Sequence, residues 1–407
     1  MQTIARTDDT PIDVPRGLAN VVAAETRLSG VRGHEGFYHY RQYSATRLAA
    51  SRPVEDAWCL LLDGVLPDPE GSRAFAAEVA AASIPAPQLA ALLPAVAAST
   101  PDPQAALRSA LSLAGGVAGL RPLYDLDRDA RRRELLRIAA LVPTLVTTLD
   151  RHHRGLPVPA PRPDLGVAGR LLHGLHGVEP DSALTALLSS YLALAIDHGF
   201  NASTFTTRVI ASTGADAASC LVGGLGALFG PLHGGAPTRV LDTLDAIGGM
   251  AADGAIGGIA ADGAIGGITP HRTIDDARID AWLTQRILAG DRIMGFGHAV
   301  YRTEDPRSVL LEQRVRTIGG ERVAFAIRVK ERAEALLAEL KPGRELHVNL
   351  EWFAAVAMEA CGIDRALFGC VFAVARAMGW AANALEQADD PKIIRPSSRY
   401  VGPPPLS

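Results

Sequence analysis

Apolar residues recur three and four positions apart along most of this 407-residue chain and alternate with polar ones only within its first fifty positions. The helical spacing predicts helices over 54–62, stopped by Asp63-Gly64, and over 72–82 and 88–98. A longer amphipathic run covers 131–153, where Pro143 is expected to kink or split the helix. Asp181 is placed to cap a helix that runs to about Ile196 and delivers Asp197-His198-Gly199-Phe200-Asn201 at its end. Further helices are predicted over 204–212, 217–228, 275–288, 321–340, 351–360 and 366–387. The alternation in Phe37-Tyr38-His39-Tyr40 reads as a short strand, and residues 1–16 as a mobile tail. The pattern as a whole predicts an all-α fold with a short β segment near the amino terminus.

Composition narrows the class. The chain is 48% hydrophobic and 21% charged, which excludes a disordered protein and allows two domains. A formal net charge of −4 gives no reason to expect nucleic acid or an anionic membrane as partner. Only Lys330, Lys341 and Lys392 are lysines among forty basic residues, an arginine bias that fits a GC-rich genome better than a binding surface. Cys59, Cys220, Cys361 and Cys370 are scattered in apolar runs without zinc spacing, so they read as buried thiols in a reducing compartment. The start of the chain lacks an apolar leader, and the longest apolar runs are broken by Arg, Asp or Gly short of a membrane span. A cytoplasmic location is expected. The nonapeptide Ala-Ala-Asp-Gly-Ala-Ile-Gly-Gly-Ile occurs at 251–259 and again at 260–268; two copies are too few for a solenoid, so it reads as a tandem duplication in a surface loop.

The chemistry concentrates in polar motifs set into this helical background. The densest is Gly295-Phe296-Gly297-His298-Ala299-Val300-Tyr301-Arg302-Thr303-Glu304-Asp305-Pro306-Arg307, where glycines permit close backbone approach and an imidazole lies beside two guanidiniums. His198 follows in DHGFNAST, His233 in GPLHGG, Glu351 in HVNLEWF, Arg376 in FAVARAMGW and Arg395 in IIRPSSRYVG. Three imidazoles, one carboxylate and several arginines suit carbon–carbon bond formation on a polycarboxylate: a base takes a proton next to a carbonyl, donors hold the enolate, and arginines hold carboxylates. A metal reading of His152, His153, His173 and His176 fails because no carboxylate or cysteine recurs at ligand spacing.

In this order and spacing, GPLHGG, GFGHAVYR with DPR after it, and RPSSRYVG strongly resemble citrate synthase, as do GLANVVAAETRLSGVRGHEGFYHYRQY and VEDAWCLLLDGVLPD nearer the start. The resemblance runs from about Gly17 to Gly402. It implies a two-domain helical homodimer that condenses acetyl-CoA with oxaloacetate and releases citrate and CoA, with no metal or other cofactor. Residues 17–233 and 347–407 would form a large domain carrying the dimer contact, and 234–346 a small domain that binds CoA and closes. By motif match His233 would stabilise the enol, His298 would polarise the oxaloacetate carbonyl, and Glu351 would be the base. His198, His298, Arg307 and Arg376 would bind oxaloacetate, with Arg395 supplied by the partner subunit. Gly295, Phe296, Gly297 and Arg302 would meet CoA.

Four positions depart from the family's pattern. Glu351 stands where aspartate is usual, Asn383 where histidine is common, Pro237 where asparagine is, and Gln42 replaces a glycine. Two other readings remain open on the sequence. One is 2-methylcitrate synthase, which takes propionyl-CoA, because one methylene in a pocket discriminates only by ~1–3 kcal/mol. The other is a catalytically silent paralogue that senses acyl-CoA or oxaloacetate.

Overall fold

The structure, a computed structural model, describes residues 12–233, 236–248, 275–298 and 300–405. The duplicated segment 251–268, His271 and residues 1–11 of the expected tail lie outside the described residues, as does the side chain of Pro237.

The short strand expected at 37–40 is the middle of three. β1 (Ser29–Arg32), β2 (Phe37–Tyr40) and β3 (Tyr43–Ser44) form an antiparallel sheet in that order, with Ser29 opposite Tyr40 and Arg32 opposite Phe37. Sixteen α-helices follow among the described residues. They are α1 (Ala45–Ser51), α2 (Val54–Asp63), α3 (Pro69–Ala82), α4 (Pro87–Ser99), α5 (Pro103–Ala118), α6 (Arg128–His153), α7 (Val167–His176) and α8 (Ser182–Ala195). After a corner come α9 (Ala202–Ser212), α10 (Ala217–Leu228), α11 (Ala236–Gly248), α12 (Asp276–Leu288), α13 (Pro306–Ile318), α14 (Glu321–Leu340), α15 (Leu350–Ala360) and α16 (Phe368–Ala388).

Most starts are capped as their sequences dictate. Asp68, Asp102, Asp127, Asp181, Asn201, Asp216, Asp275, Asp305 and Asn349 each accept a backbone N–H of the first turn. Proline opens α3, α5 and α13, where its missing N–H costs nothing. Two expectations change. Pro143 does not split the helix: α6 runs unbroken over 128–153 with Pro143 buried, and α4, α5, α7 and α16 pack on α6, so tertiary packing overrides the lost hydrogen bond. The apolar stretch ending in α16 is also longer than the sequence reading allowed. By length and composition 365–388 could cross a membrane, but 89% of its most apolar window is buried inside the protein, as a core helix would be.

α16 is the axis of the core. It packs on α6, α9, α10 and α8, and its faces bury Phe368, Val371, Met378, Trp380 and Leu385. The small sheet is fixed to the carboxyl end of α8 by two buried tyrosines. Tyr38 Oη donates to the Leu194 carbonyl at 3.2 Å, and Tyr40 Oη reaches the carbonyls of Ala193 at 2.8 Å and Asp197 at 3.2 Å. These bonds satisfy carbonyls that the helix end leaves open, and they set the corner at Asp197-His198. Arg41 turns the β2–β3 hairpin at φ 46°, and its guanidinium donates to the Leu60 and Leu61 carbonyls at 2.6 and 2.8 Å, closing α2.

Candidate active site

Asp305 organises the centre. As the cap of α13 its Oδ1 accepts from the Arg307 backbone N–H at 3.0 Å and from Arg307 Nε at 2.9 Å. Its Oδ2 accepts from Arg307 Nη2 at 2.8 Å and from the Leu350 N–H, at the start of α15, at 3.0 Å. One carboxylate thus aims Arg307 and ties it to the helix that carries Glu351. Burial opposes the charge on Asp305, but the Arg307 cation outweighs it and holds the carboxyl below its usual range.

His298 stands over this pair. Its Nδ1 accepts from the backbone N–H of Val300 at 3.0 Å and of Tyr301 at 3.2 Å, which places the proton of a neutral ring on Nε2. That nitrogen lies 3.1 Å from Arg307 Nη2, so two donors meet with no acceptor between them. Burial, then the Arg307 cation, push the His298 imidazole down to about 4, so it is neutral at pH 7. His198, beyond the end of α8, is held 2.9 Å from Tyr301 Oη, with its ring edge-to-face to His298 at 5.5 Å. Burial lowers it well below its usual value, and the Arg307 and Arg376 cations add to the shift.

Arg376 enters from the middle of α16. It is 4% exposed, yet its Nε and Nη1 are buried without a partner among the described residues. Its guanidinium stacks 4.9 Å from the Phe372 ring. Burial lowers its pKa, while the Asp197 carboxylate supports the charge. A buried guanidinium with two idle nitrogens is costly unless an anion arrives.

Two further groups complete the set. His233 follows α10; its Nε2 lies 2.9 Å from Ser203 Oγ and 3.4 Å from the Ser203 backbone N–H, which fixes the ring against the start of α9. Burial and then the Arg376 cation lower its pKa. Glu351 lies in the first turn of α15, with its N–H capped by Asn349 Oδ1 at 3.0 Å. Its carboxylate has no hydrogen bond from a described residue. Burial pushes it up to about 7, against the opposing pull of Arg307 and Arg376.

The glycine motif is the wall that joins these elements. Gly297 N–H donates to the His347 carbonyl and Asn349 N–H to the Gly295 carbonyl, both at 2.8 Å, and Asn349 Nδ2 holds the Gly297 carbonyl at 2.8 Å. Gly295 and Gly297 have φ of +85° and +80°, and a Cβ on Gly295 would stand 2.9 Å from the Trp352 ring. Phe296 packs on that ring at 5.1 Å.

His198, His233, His298, Arg307, Glu351 and Arg376 are therefore gathered by hydrogen bonds, ring contacts and electrostatic reach. Arg302 is exposed, its backbone N–H bonded to the Gly33 carbonyl at 3.1 Å. Arg395 is exposed on the segment after α16, outside the contacts that join the others. Asn383 lies beneath the site: its Nδ2 donates to Asp197 Oδ1 at 3.0 Å, and its Oδ1 accepts from Arg208 Nη1 at 2.8 Å. Gln42 is exposed on the hairpin turn beside Arg27 and His39. Sequence reasoning missed Asp305, Tyr301, Ser203 and Asp197 as working residues, although each stands inside or next to a motif it singled out. Among the described residues no group of three or more His, Cys, Asp or Glu is placed to hold a metal ion.

The family described as "Citrate synthase, C-terminal domain" matches residues 17–397. The chain is 34% identical over 397 residues to "Putative citrate synthase 2" of Mycobacterium tuberculosis, covering 96% of this chain and 94% of that protein. It is 32% identical over 406 residues to that organism's "2-methylcitrate synthase", covering 98% and 93%. The crystal structure of citrate synthase from Thermotoga maritima superposes with a TM-score of 0.78 at 28% identity, covering 96% of this chain and 97% of that one. This chain belongs to the citrate synthase family.

Proposed function

We propose that the chain is an acyltransferase that condenses acetyl-CoA with oxaloacetate and hydrolyses the resulting thioester to citrate and CoA. The observation that carries the reading is the imbalance of the buried site. Idle N–H groups of Arg376 and the donor–donor meeting of His298 with Arg307 ask for a small polyanion with a carbonyl, next to a carboxylate poised near neutrality. Oxaloacetate satisfies both demands. Its carboxylates take Arg307, Arg376 and His198, and its keto oxygen takes the His298 Nε2–H.

Glu351 removes a proton from the acetyl methyl group, and the charge that develops on the thioester oxygen is held by the His233 imidazole N–H. A donor of this kind is worth ~3–4 kcal/mol. The enol carbon attacks the keto carbon, and its oxygen gains a proton from the site. Water then cleaves the thioester, releasing the CoA thiol. Neutral imidazoles suit this work because they donate without adding charge.

In the same reading, a small domain that includes 234–346, with α15 packed on its α11 and α13, closes on the rest of the chain. Gly295, Phe296, Gly297 and Arg302 receive CoA. The exposure of Arg395 fits a residue that reaches the site of a second subunit in a homodimer, and the protein works in the cytoplasm without a metal or other cofactor. A thiol-release assay with oxaloacetate and either acyl-CoA tests the activity. Turnover at least tenfold more efficient with acetyl-CoA is expected. Preference for propionyl-CoA would make it a 2-methylcitrate synthase, and no thiol release with either would make it a silent binder.

A further inference from the structure

His233 and Glu351 sit at corresponding ends of two packed helices. His233 lies three residues before α11, and Glu351 is in the first turn of α15; the two helices pack on one another. Both helices run away from the site, so Asp245 on α11 and Glu359 on α15 lie ~12–14 Å along the axes from the catalytic ends. There the two carboxylates are joined by two arginines from other elements. Arg322, in the first turn of α14, gives Nη2 to Asp245 Oδ1 at 2.6 Å and Nε to Glu359 Oε2 at 2.8 Å. Arg365, in the short 3-10 helix before α16, gives Nη1 to Asp245 Oδ2 at 2.6 Å and Nη2 to Glu359 Oε1 at 3.3 Å. The four charges close a ring, each guanidinium bridging both carboxylates.

Two features show that the ring is not incidental surface pairing. The side chains of Arg322 and Asp245 are 8% and 12% exposed, where ion pairs are screened far less than at the surface. A cation in the first turn of α14 works against the helix dipole, so its placement serves the ring rather than its own helix. The ring also forms at a cost, since Arg322 Nη1 and Arg365 Nε are left buried without a partner among the described residues.

We propose that Arg322 and Arg365 are positioning residues, which clamp the far ends of α11 and α15 and thereby fix the spacing between the His233 donor and the Glu351 base. The inference rests on the catalytic roles proposed above. Neither arginine touches the reacting atoms, and Arg322 bonds to none of His198, Arg307 and Arg376. Loosening the clamp should therefore spare oxaloacetate binding and slow the step that needs both catalytic groups in register. A misplacement of ~1 Å costs ~10²-fold in such a step.

The test is Arg322→Lys, which keeps the charge but can no longer fork across two carboxylates. Thiol release, oxaloacetate affinity by calorimetry, urea unfolding and amide exchange are measured on the full chain. The expected result is a kcat lower by ~10–100-fold, an oxaloacetate Kd within about twofold of wild type, and faster exchange confined to α11 and α15. A kcat within twofold of wild type in an active enzyme overturns the proposal. So does a parallel loss of kcat and oxaloacetate affinity, which would mean general loosening. Should Arg322→Lys not fold, Arg365→Lys, whose side chain is 26% exposed, takes its place with the same readouts. If the wild type releases no thiol, the activity reading has failed by itself. Exchange in the variant then decides the clamp: raised only in α11 and α15 it stands, unchanged it falls.

Discussion

Arg307 and Arg376 are equally buried, at 4% exposure each, and they lie within electrostatic reach of one another and of Glu351. Their surroundings differ. Arg307 is forked onto Asp305 by its Nε and Nη2, so its charge is compensated and its direction fixed before any ligand arrives. Arg376 has two nitrogens, Nε and Nη1, with no partner among the described residues, and its charge is supported mainly by the more distant Asp197. The first arginine belongs to the fold as much as to the site. The second keeps buried, unpaired nitrogens at the expense of stability, which suits the anion-binding role proposed for it.

That contrast can be broken by stability measurements, where it predicts its largest effect. Arg307→Met would leave the buried Asp305 carboxylate uncompensated, a loss of ~3–5 kcal/mol. Arg376→Met would instead replace an unsatisfied buried charge by an apolar chain of similar volume, and is expected to be neutral or stabilising by ~1 kcal/mol. Urea unfolding without ligand reads both; equal losses would remove the distinction.

Binding sharpens the comparison with smaller effects. Lysine at either position keeps a charge but not the planar fork, so Arg307→Lys and Arg376→Lys should each raise the KM for oxaloacetate by ~10-fold or more. Only the Arg376→Lys protein should keep its ligand-free stability, because the Asp305 bonds remain intact. A wild-type KM in either lysine variant would take that arginine out of the oxaloacetate site.

How much of this was legible in the sequence follows from what each feature depends on. Helices with strong periodicity and a carboxylate or amide cap, such as α8 and α9, could be placed within a residue or two. α1, α5, α7, α11 and α13 were not among the predicted helices; they are short, Gly- or Pro-interrupted, or only partly periodic, and they form because neighbours cover them. The site residues were legible because their motifs are contiguous. Their states were not: whether His298 is neutral, whether Glu351 titrates near 7 and whether Arg376 is unpaired all depend on burial and on partners far away in sequence. Asp305 shows the boundary most clearly. It stands inside a motif that was singled out, but its bond to the Leu350 N–H, 45 residues on, exists only in three dimensions. The ring of Asp245, Arg322, Glu359 and Arg365 carries no sequence signal at all.

Glu351 as the base is the central claim, and Glu351→Gln tests it most directly, with rate, oxaloacetate binding and pH dependence measured together. Wild-type condensation should fall about tenfold per pH unit below ~7, because the carboxyl raised by burial must be ionised to act. Stability carries the opposite sign. The unfolded carboxyl ionises near ~4.3 and the folded one near 7, so stability at this site falls as pH rises through that window. The glutamine variant should lack both dependences. It should bind oxaloacetate as wild type does and condense it ~10²–10⁴-fold more slowly. Full turnover in that variant, with the acid limb near pH 7 unchanged, would show that another group takes the proton.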